Sequence, residues 1–356
     1  MLGHILYMLE NKMEKLSKEM TERVLFFYLL RCVAALAVIT IHVIGPYRHG
    51  LGTIPIEQWL VVIGINSASR WAVPVFILIT GALMLSDQRA FNPRYYVQRR
   101  CSRVVVPFLF WSIFYALLSG WTTQGNSIEH TLSAIRQLGS QATYYHLGFF
   151  YYFIPLYLVV PLFHWMRQHF DDSWLYGFVV LWLFSSVLFL FRVDGFWSHP
   201  LWLYVGYLPL GYLLFKKVPL TGRTVTWFVL LGLAALAVTF GMVAFNSLES
   251  GKYSVGRWLS YKTLNVILVA AMVFILCRFI SERLPLKTHK AIHFVGQYCF
   301  GIYLLPPLFL WPMREMGWFS AHPVLAIPTW VLLSGLGALV MSYWLSLSAK
   351  TRWLVP

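Results

Sequence analysis

Ten apolar runs of roughly 17 to 25 residues recur along the chain, the length a helix needs to cross a hydrocarbon core about 30 Å thick. They fall at about 25–44, 66–86, 104–121, 146–166, 174–192, 199–215, 225–245, 261–279, 292–312 and 325–346. In lipid the backbone of such a run must satisfy its own polar groups, and runs of this length do so as helices. The fold expected is therefore an all-α, polytopic membrane bundle of about ten transmembrane helices. Composition agrees: of 356 residues 59% are hydrophobic and only 12% charged, half the share of an ordinary soluble domain. Short loops leave no room for an appended soluble catalytic domain. The expected division is a cytoplasmic amphipathic segment at 1–24, one membrane domain at 25–346 and a cytoplasmic tail at 347–356.

A net charge of +15 would suit a nucleic-acid binder if it formed a patch. Here it forms a ladder. Nineteen Lys and Arg flank the spans on the side of both termini and seven flank the other side, so the positive-inside rule predicts cytoplasmic termini. No nucleic acid is expected as a partner; membrane lipid is. The cysteines Cys32, Cys101, Cys277 and Cys299 fall in spans or on the cytoplasmic side, where thiols stay reduced. The histidines on or near the outer side, His42, His49, His130, His146, His199 and His322, lack i, i+4 pairing and carboxylate support, so no metal site is expected.

Two arginines, Arg31 and Arg70, fall inside spans. Arg31 and His42 lie eleven residues apart, three helical turns plus about 20°, so their side chains leave one helix face about 16 Å apart along the axis. An arginine at such depth is costly unless it faces a polar cavity, although Arg31 is near enough to the helix end to snorkel. Arg70 enters the second span behind Asn66, Ser67 and Ser69. None of the thirteen Asp and Glu lies well inside a span, which leaves a ligand as the countercharge. Pro74 and Gly81 are expected to loosen that helix. Before the third span Arg94, Arg99, Arg100 and Arg103 crowd into ten residues. Anchoring to anionic lipid explains most such clusters, while Arg100 and Arg103, three apart, are also placed to fork phosphate oxygens together. His146 and Tyr157, again eleven residues apart, share a face of the fourth span.

R-x10-H in the first span (Arg31, His42), SASR-x-x-VP-x-F-x-x-x-[ST]G in the second (Ser67 to Gly81), RR-x-x-R before the third (Arg99 to Arg103) and YHL-x-F at the fourth (Tyr145 to Phe149) together resemble the membrane-embedded acyltransferase-3 family. The resemblance covers residues 25–346 and is greatest to stand-alone members that O-acetylate bacterial surface glycans. It implies that cytoplasmic acyl-CoA, most often acetyl-CoA, acts as co-substrate with no tightly bound cofactor. The acceptor would be a hydroxyl of a surface glycan or lipid-linked saccharide at the outer face, with polysaccharide synthesis or export machinery as a partner. It assigns catalysis to His42, Arg31 and Arg70 and the acyl-CoA phosphates to Arg99, Arg100 and Arg103, with Arg31 along the donor's path. Acceptor contacts are expected from His146, Tyr157, Tyr303, Asn66 and Ser69. The chain departs from the family at CFGIYLLPP, where Cys299 replaces a serine and Pro306 a common histidine; Tyr303 and His146 are the candidates to substitute.

His42 would act either as general base for direct attack on the thioester or as the nucleophile that carries the acyl group. Arg70 would stabilise the oxyanion in both routes. A transporter or flippase for an anionic saccharide, or a membrane component of an export complex, would also suit spans with central cations.

Overall fold

The structure, a computed structural model, describes residues 25–122, 125–319 and 322–356, with backbone alone at Arg99, Cys101 and Thr122. The amphipathic segment expected at 1–24 lies outside these residues. The helices are α1 (Leu25–Val43), α2 (Ile56–Ser69), α3 (Ala72–Leu85), α4 (Pro93–Tyr96), α5 (Ser102–Ser119), α6 (Ile128–Arg136), α7 (Phe150–His169) and α8 (Ser173–Leu190). They continue with α9 (Pro200–Val205), α10 (Tyr207–Lys216), α11 (Gly222–Ser250), α12 (Leu264–Ser281), α13 (Leu286–Gln297), α14 (Cys299–Leu304), α15 (Pro306–Glu315) and α16 (Pro323–Leu347). Among the described residues the only strands are β1 (Trp121–Thr122) and β2 (Gly125–Asn126), a small antiparallel pair.

Among the described residues eight segments are long and apolar enough to cross a membrane, and the bent pair formed by α13 with α14–α15, at 56°, makes a ninth if it counts as one span. The remaining expected span, the sixth at 199–215, is split at Gly206 into α9 and α10, neither long enough alone. The second span differs more. Residues 56–65, expected as outer loop, are helical, so the segment runs Ile56–Leu85 with a break at Arg70–Trp71. Pro74 accounts for the break, because it has no N–H for the Arg70 carbonyl and its ring crowds the preceding turn. The long loops also carry structure: α6 lies in 122–145, capped by Ser127 accepting from His130 N–H at 3.2 Å, and α4 lies in 87–103.

Helix α3 is the centre of the bundle, buried on nearly every face. It crosses α10 so closely that a Cβ on Gly81 would sit 2.0 Å from the Leu208 carbonyl oxygen, and one on Gly211 2.1 Å from that of Leu78. Small residues permit this approach where lipid offers no hydrophobic drive for helices to associate. Helices α11 and α16 lie at the periphery and turn Leu230, Leu231, Leu233, Leu332, Leu333 and Leu336 outward. In a bilayer these are lipid-facing surfaces rather than unpaired patches.

Candidate functional site

Helix α1 lends its inward face to two cavities. Toward its N-terminal end, about 240 Å³ is lined by Arg31, Arg103, Tyr157, Gln297, Cys299 and Tyr303. Toward its C-terminal end, about 200 Å³ is lined by His42, Tyr145, His146, Tyr152, Tyr261 and Tyr303. Tyr303 and Phe149 border both, so they form the partition between the arginine and the histidine. Neither Arg31 nor His42 faces only lipid.

The partition is fixed by hydrogen bonds between elements. Tyr303 on α14 donates to the His146 carbonyl at 2.5 Å, and Tyr115 on α5 donates to the Leu304 carbonyl at 2.6 Å. His146 sits in a 3₁₀ turn, Tyr145–Phe149, that leads into α7. Its ring lies 6.2 Å from that of His42 and 4.6 Å from that of Tyr115. Among the described residues His42 Nε2 and both ring nitrogens of His146 are buried without a hydrogen-bond partner; the Leu304 backbone approaches His146 without meeting hydrogen-bond geometry. Buried polar atoms are nearly always satisfied, so these three nitrogens mark where a ligand or water is needed.

Arg70 stands at the α2–α3 break. Its Nε donates to Asn66 Oδ1 at 3.1 Å and its Nη1 to the Tyr261 hydroxyl at 3.4 Å, while Asn66 Nδ2 donates to the Tyr253 hydroxyl at 3.0 Å. Arg70 thus reaches the His42 cavity through Tyr261. Asn66 orients the arginine instead of meeting the cavity, and Ser69 spends its hydroxyl on the Ile65 carbonyl at 2.8 Å. Both had been expected to touch acceptor.

The joint grip expected of Arg100 and Arg103 is not the arrangement found. A π-turn at Val97–Cys101 interrupts the helix between α4 and α5, and the wider turn changes which residues share a face. Arg103 faces the Arg31 cavity, while Arg100 borders a third cavity of about 240 Å³ with Asp87, Arg89, Tyr95, Tyr96 and His164. There Arg89 forks Asp87 through Nε at 2.9 Å and Nη2 at 2.5 Å, and those bonds hold the carboxyl down at about 2. The Arg99 side chain lies outside what the structure describes. Pro306, where the resemblance puts histidine, occupies the first position of α15, a place that suits proline's fixed φ.

Sequence reasoning missed Tyr145, Tyr261 and Arg314. The Arg314 guanidinium lies 3.9 Å from the Tyr145 ring centroid, and that ring lies 4.9 Å from the His42 ring, edge to face. Tyr145 was legible as the first letter of YHL-x-F; Arg314, in the last turn of α15, carried no local signal.

The chain is thus a polytopic helical membrane protein with a polar, two-chambered interior between its spans. The profile of a family described as an acyltransferase domain matches residues 24–347, nearly the whole chain, and the protein belongs to that acyltransferase family. Searches of curated proteins and of solved structures found no match.

Proposed function

We propose that the protein is an O-acyltransferase of the bacterial inner membrane that moves an acyl group, acetyl by preference, from cytoplasmic acyl-CoA to a glycan hydroxyl at the opposite face. The observation that carries this reading is the pair of cavities in series, Arg31 in one, His42 in the other, with Tyr303 and Phe149 between.

The donor's shape suits the first chamber. Its phosphates are too costly to bury in hydrocarbon, whereas the pantetheine arm is slender and uncharged. Arg100, within the π-turn, and Arg103, just past it, hold the phosphates from two sides, and the arm runs past Arg31 and Tyr157 toward Tyr303. Acceptor enters from the His42 side. The hydroxyl oxygen attacks the thioester carbonyl as His42 takes its proton, the C–S bond breaks, and the same proton passes to the departing thiolate to give free CoA and a sugar ester. Such base assistance is commonly worth about 10² to 10⁴ in rate.

Tyr261 aims the oxyanion donor. Its hydroxyl oxygen accepts from Arg70, which leaves its own proton for the tetrahedral intermediate. Arg70 keeps three of its five N–H groups beyond those given to Asn66 and Tyr261. His146 Nδ1 and Nε2 are available to the acceptor on the far wall. The test is to incubate the purified protein in lipid nanodiscs with labelled acetyl-CoA and envelope glycans. Free CoA and alkali-labile acetate on sugar are expected in equal amounts; glycan movement without CoA release would mean a transporter instead.

A further inference from the structure

Three guanidinium groups from three separate elements lie on the His42 side of the bundle, around the C-terminal end of α1, and the mechanism above uses only one of them. Arg314 arrives from the end of α15. A Cβ at Gly45 would sit 3.3 Å from Arg314 Nη2 and 3.1 Å from the His42 backbone carbonyl oxygen, so the bare glycine just past α1 eases the approach of that guanidinium to the end of the helix that carries His42. Arg70 comes from the α2–α3 break. Arg48 comes from the turn after α1, where the Trp59 indole donates to its carbonyl at 3.0 Å and its guanidinium lies 5.7 Å from the Tyr253 ring centroid. Tyr253 in turn accepts from Asn66, the residue that holds Arg70, so two of the cations are fixed in one polar chain.

None of the five ion pairs among the described residues includes these arginines. Elsewhere the chain does pair its cations: Arg257 with Asp194 at 2.6 Å, Lys217 with Asp172 at 2.6 Å. Glu315, next to Arg314, is exposed and makes no such pair. Fixed positive charges gathered beside a base without counterions cost free energy in the resting protein and oppose the imidazolium that forms during transfer. A ligand bearing negative charge removes both penalties at once, and guanidinium groups are well shaped to receive a carboxylate or phosphate through two parallel bonds.

We infer that the acceptor is an anionic saccharide, with its carboxylate or phosphate seated among Arg314, Arg70 and Arg48 while a neighbouring hydroxyl faces His42. This rests on the acyltransferase reading and names the substrate class of its outer chamber. The anion then does two jobs: it positions the sugar, and its charge offsets the three guanidiniums as His42 takes up the proton.

The experiment uses the full chain in nanodiscs of neutral lipid with acetyl-CoA, reading acceptor-stimulated CoA release and sugar ester. Three acceptors are compared: an oligoglucuronate, its carboxyl-reduced neutral counterpart, and a saccharide joined through diphosphate to a polyprenol. At least one anionic acceptor is expected to exceed the neutral one by about tenfold or more in kcat/KM, the scale of one charge-assisted contact. Whichever anion wins identifies carboxylate or lipid phosphate as the source. Arg314→Gln should erase most of that preference by raising the acceptor KM, and Arg314→Lys should restore part of it. The restored variant excludes simple misfolding as the cause. Equal stimulation by neutral and anionic sugars would overturn the inference and leave the acyltransferase reading standing, as would turnover on crude envelope glycans with no response to either anion. No CoA release with any glycan would remove the acyltransferase reading and this inference with it.

Discussion

The two chambers along α1 hold their arginines in opposite ways. In the chamber toward its N-terminal end, Arg31 makes no ion pair among the described residues and its guanidinium lies 6.0 Å from the Tyr28 ring, while Arg103 opens onto the same space. At the far end Arg70 is locked by Asn66 and Tyr261, and Arg314 is stacked on Tyr145. Loosely held cations suit a site that must admit and release a large, mobile phosphate-bearing donor. Locked cations suit one where charge develops at a fixed atom, because preorganised donors need no rearrangement during the reaction. On the proposed function, binding belongs to the first chamber and chemistry to the second, and the effects of substitutions become separable.

His42→Ala should have the largest effect. Turnover should fall by about 10² or more while acyl-CoA affinity stays within about twofold, because the donor chamber is untouched. Single-turnover kinetics beside acetyl-CoA titration would read both, and a parallel loss of donor binding would break the division between chambers. Next come Arg100 and Arg103. Since they border different cavities, Arg100→Ala and Arg103→Ala should each raise the acyl-CoA KM, by up to about tenfold, and the double variant should show the product of the two effects. A double-mutant cycle with a coupling energy well above about 0.5 kcal/mol would instead mean one shared phosphate fork.

Asn66→Ala sharpens the comparison from the other side. It removes the hydrogen bond that orients Arg70, a contact worth roughly 0.5–1.5 kcal/mol, so kcat should drop by about two- to tenfold with the acyl-CoA KM unchanged. A change in donor KM alone would place Asn66 and Arg70 in the wrong chamber.

What could be read in the chain before its structure divides along the same lines. The helices were legible, since hydropathy runs report spans directly, and so was the alignment of Arg31 and His42, which depends only on helical period. Less legible was anything set by a local break. Pro74 announced a loosened helix but not that ten residues before Asn66 continue it, and nothing in VQRRC marks a π-turn, so Arg100 and Arg103 were paired on an α-helical count that the backbone does not keep. Arg314 was illegible for a different reason. It approaches His42 across 272 residues of sequence, and only packing of α15 and a glycine at position 45 bring it there. The CFGIYLLPP departure was visible and pointed to Tyr303, although its place between two cavities needed coordinates.

The smallest expected effect concerns the third cavity, beside Arg100, and decides whether it belongs to the donor chamber. Asp87 there neutralises Arg89, and because that guanidinium holds the carboxyl down at about 2, the pair stays ionised throughout any working pH range. The stabilisation is complete above the ordinary carboxyl value of 3.8 and is lost only as pH falls toward 2, so titration cannot release Arg89 under assay conditions. Substitution can. Asp87→Asn adds one net positive charge beside Arg100 and frees the Arg89 fork; exposed pairs are worth little, so the acyl-CoA KM should fall by only about twofold. That shift should shrink in high salt, because both groups are solvent-accessible. An unchanged KM at low salt would place the nucleotide end of the donor elsewhere and leave Arg103 and Arg31 as the only cations that meet it.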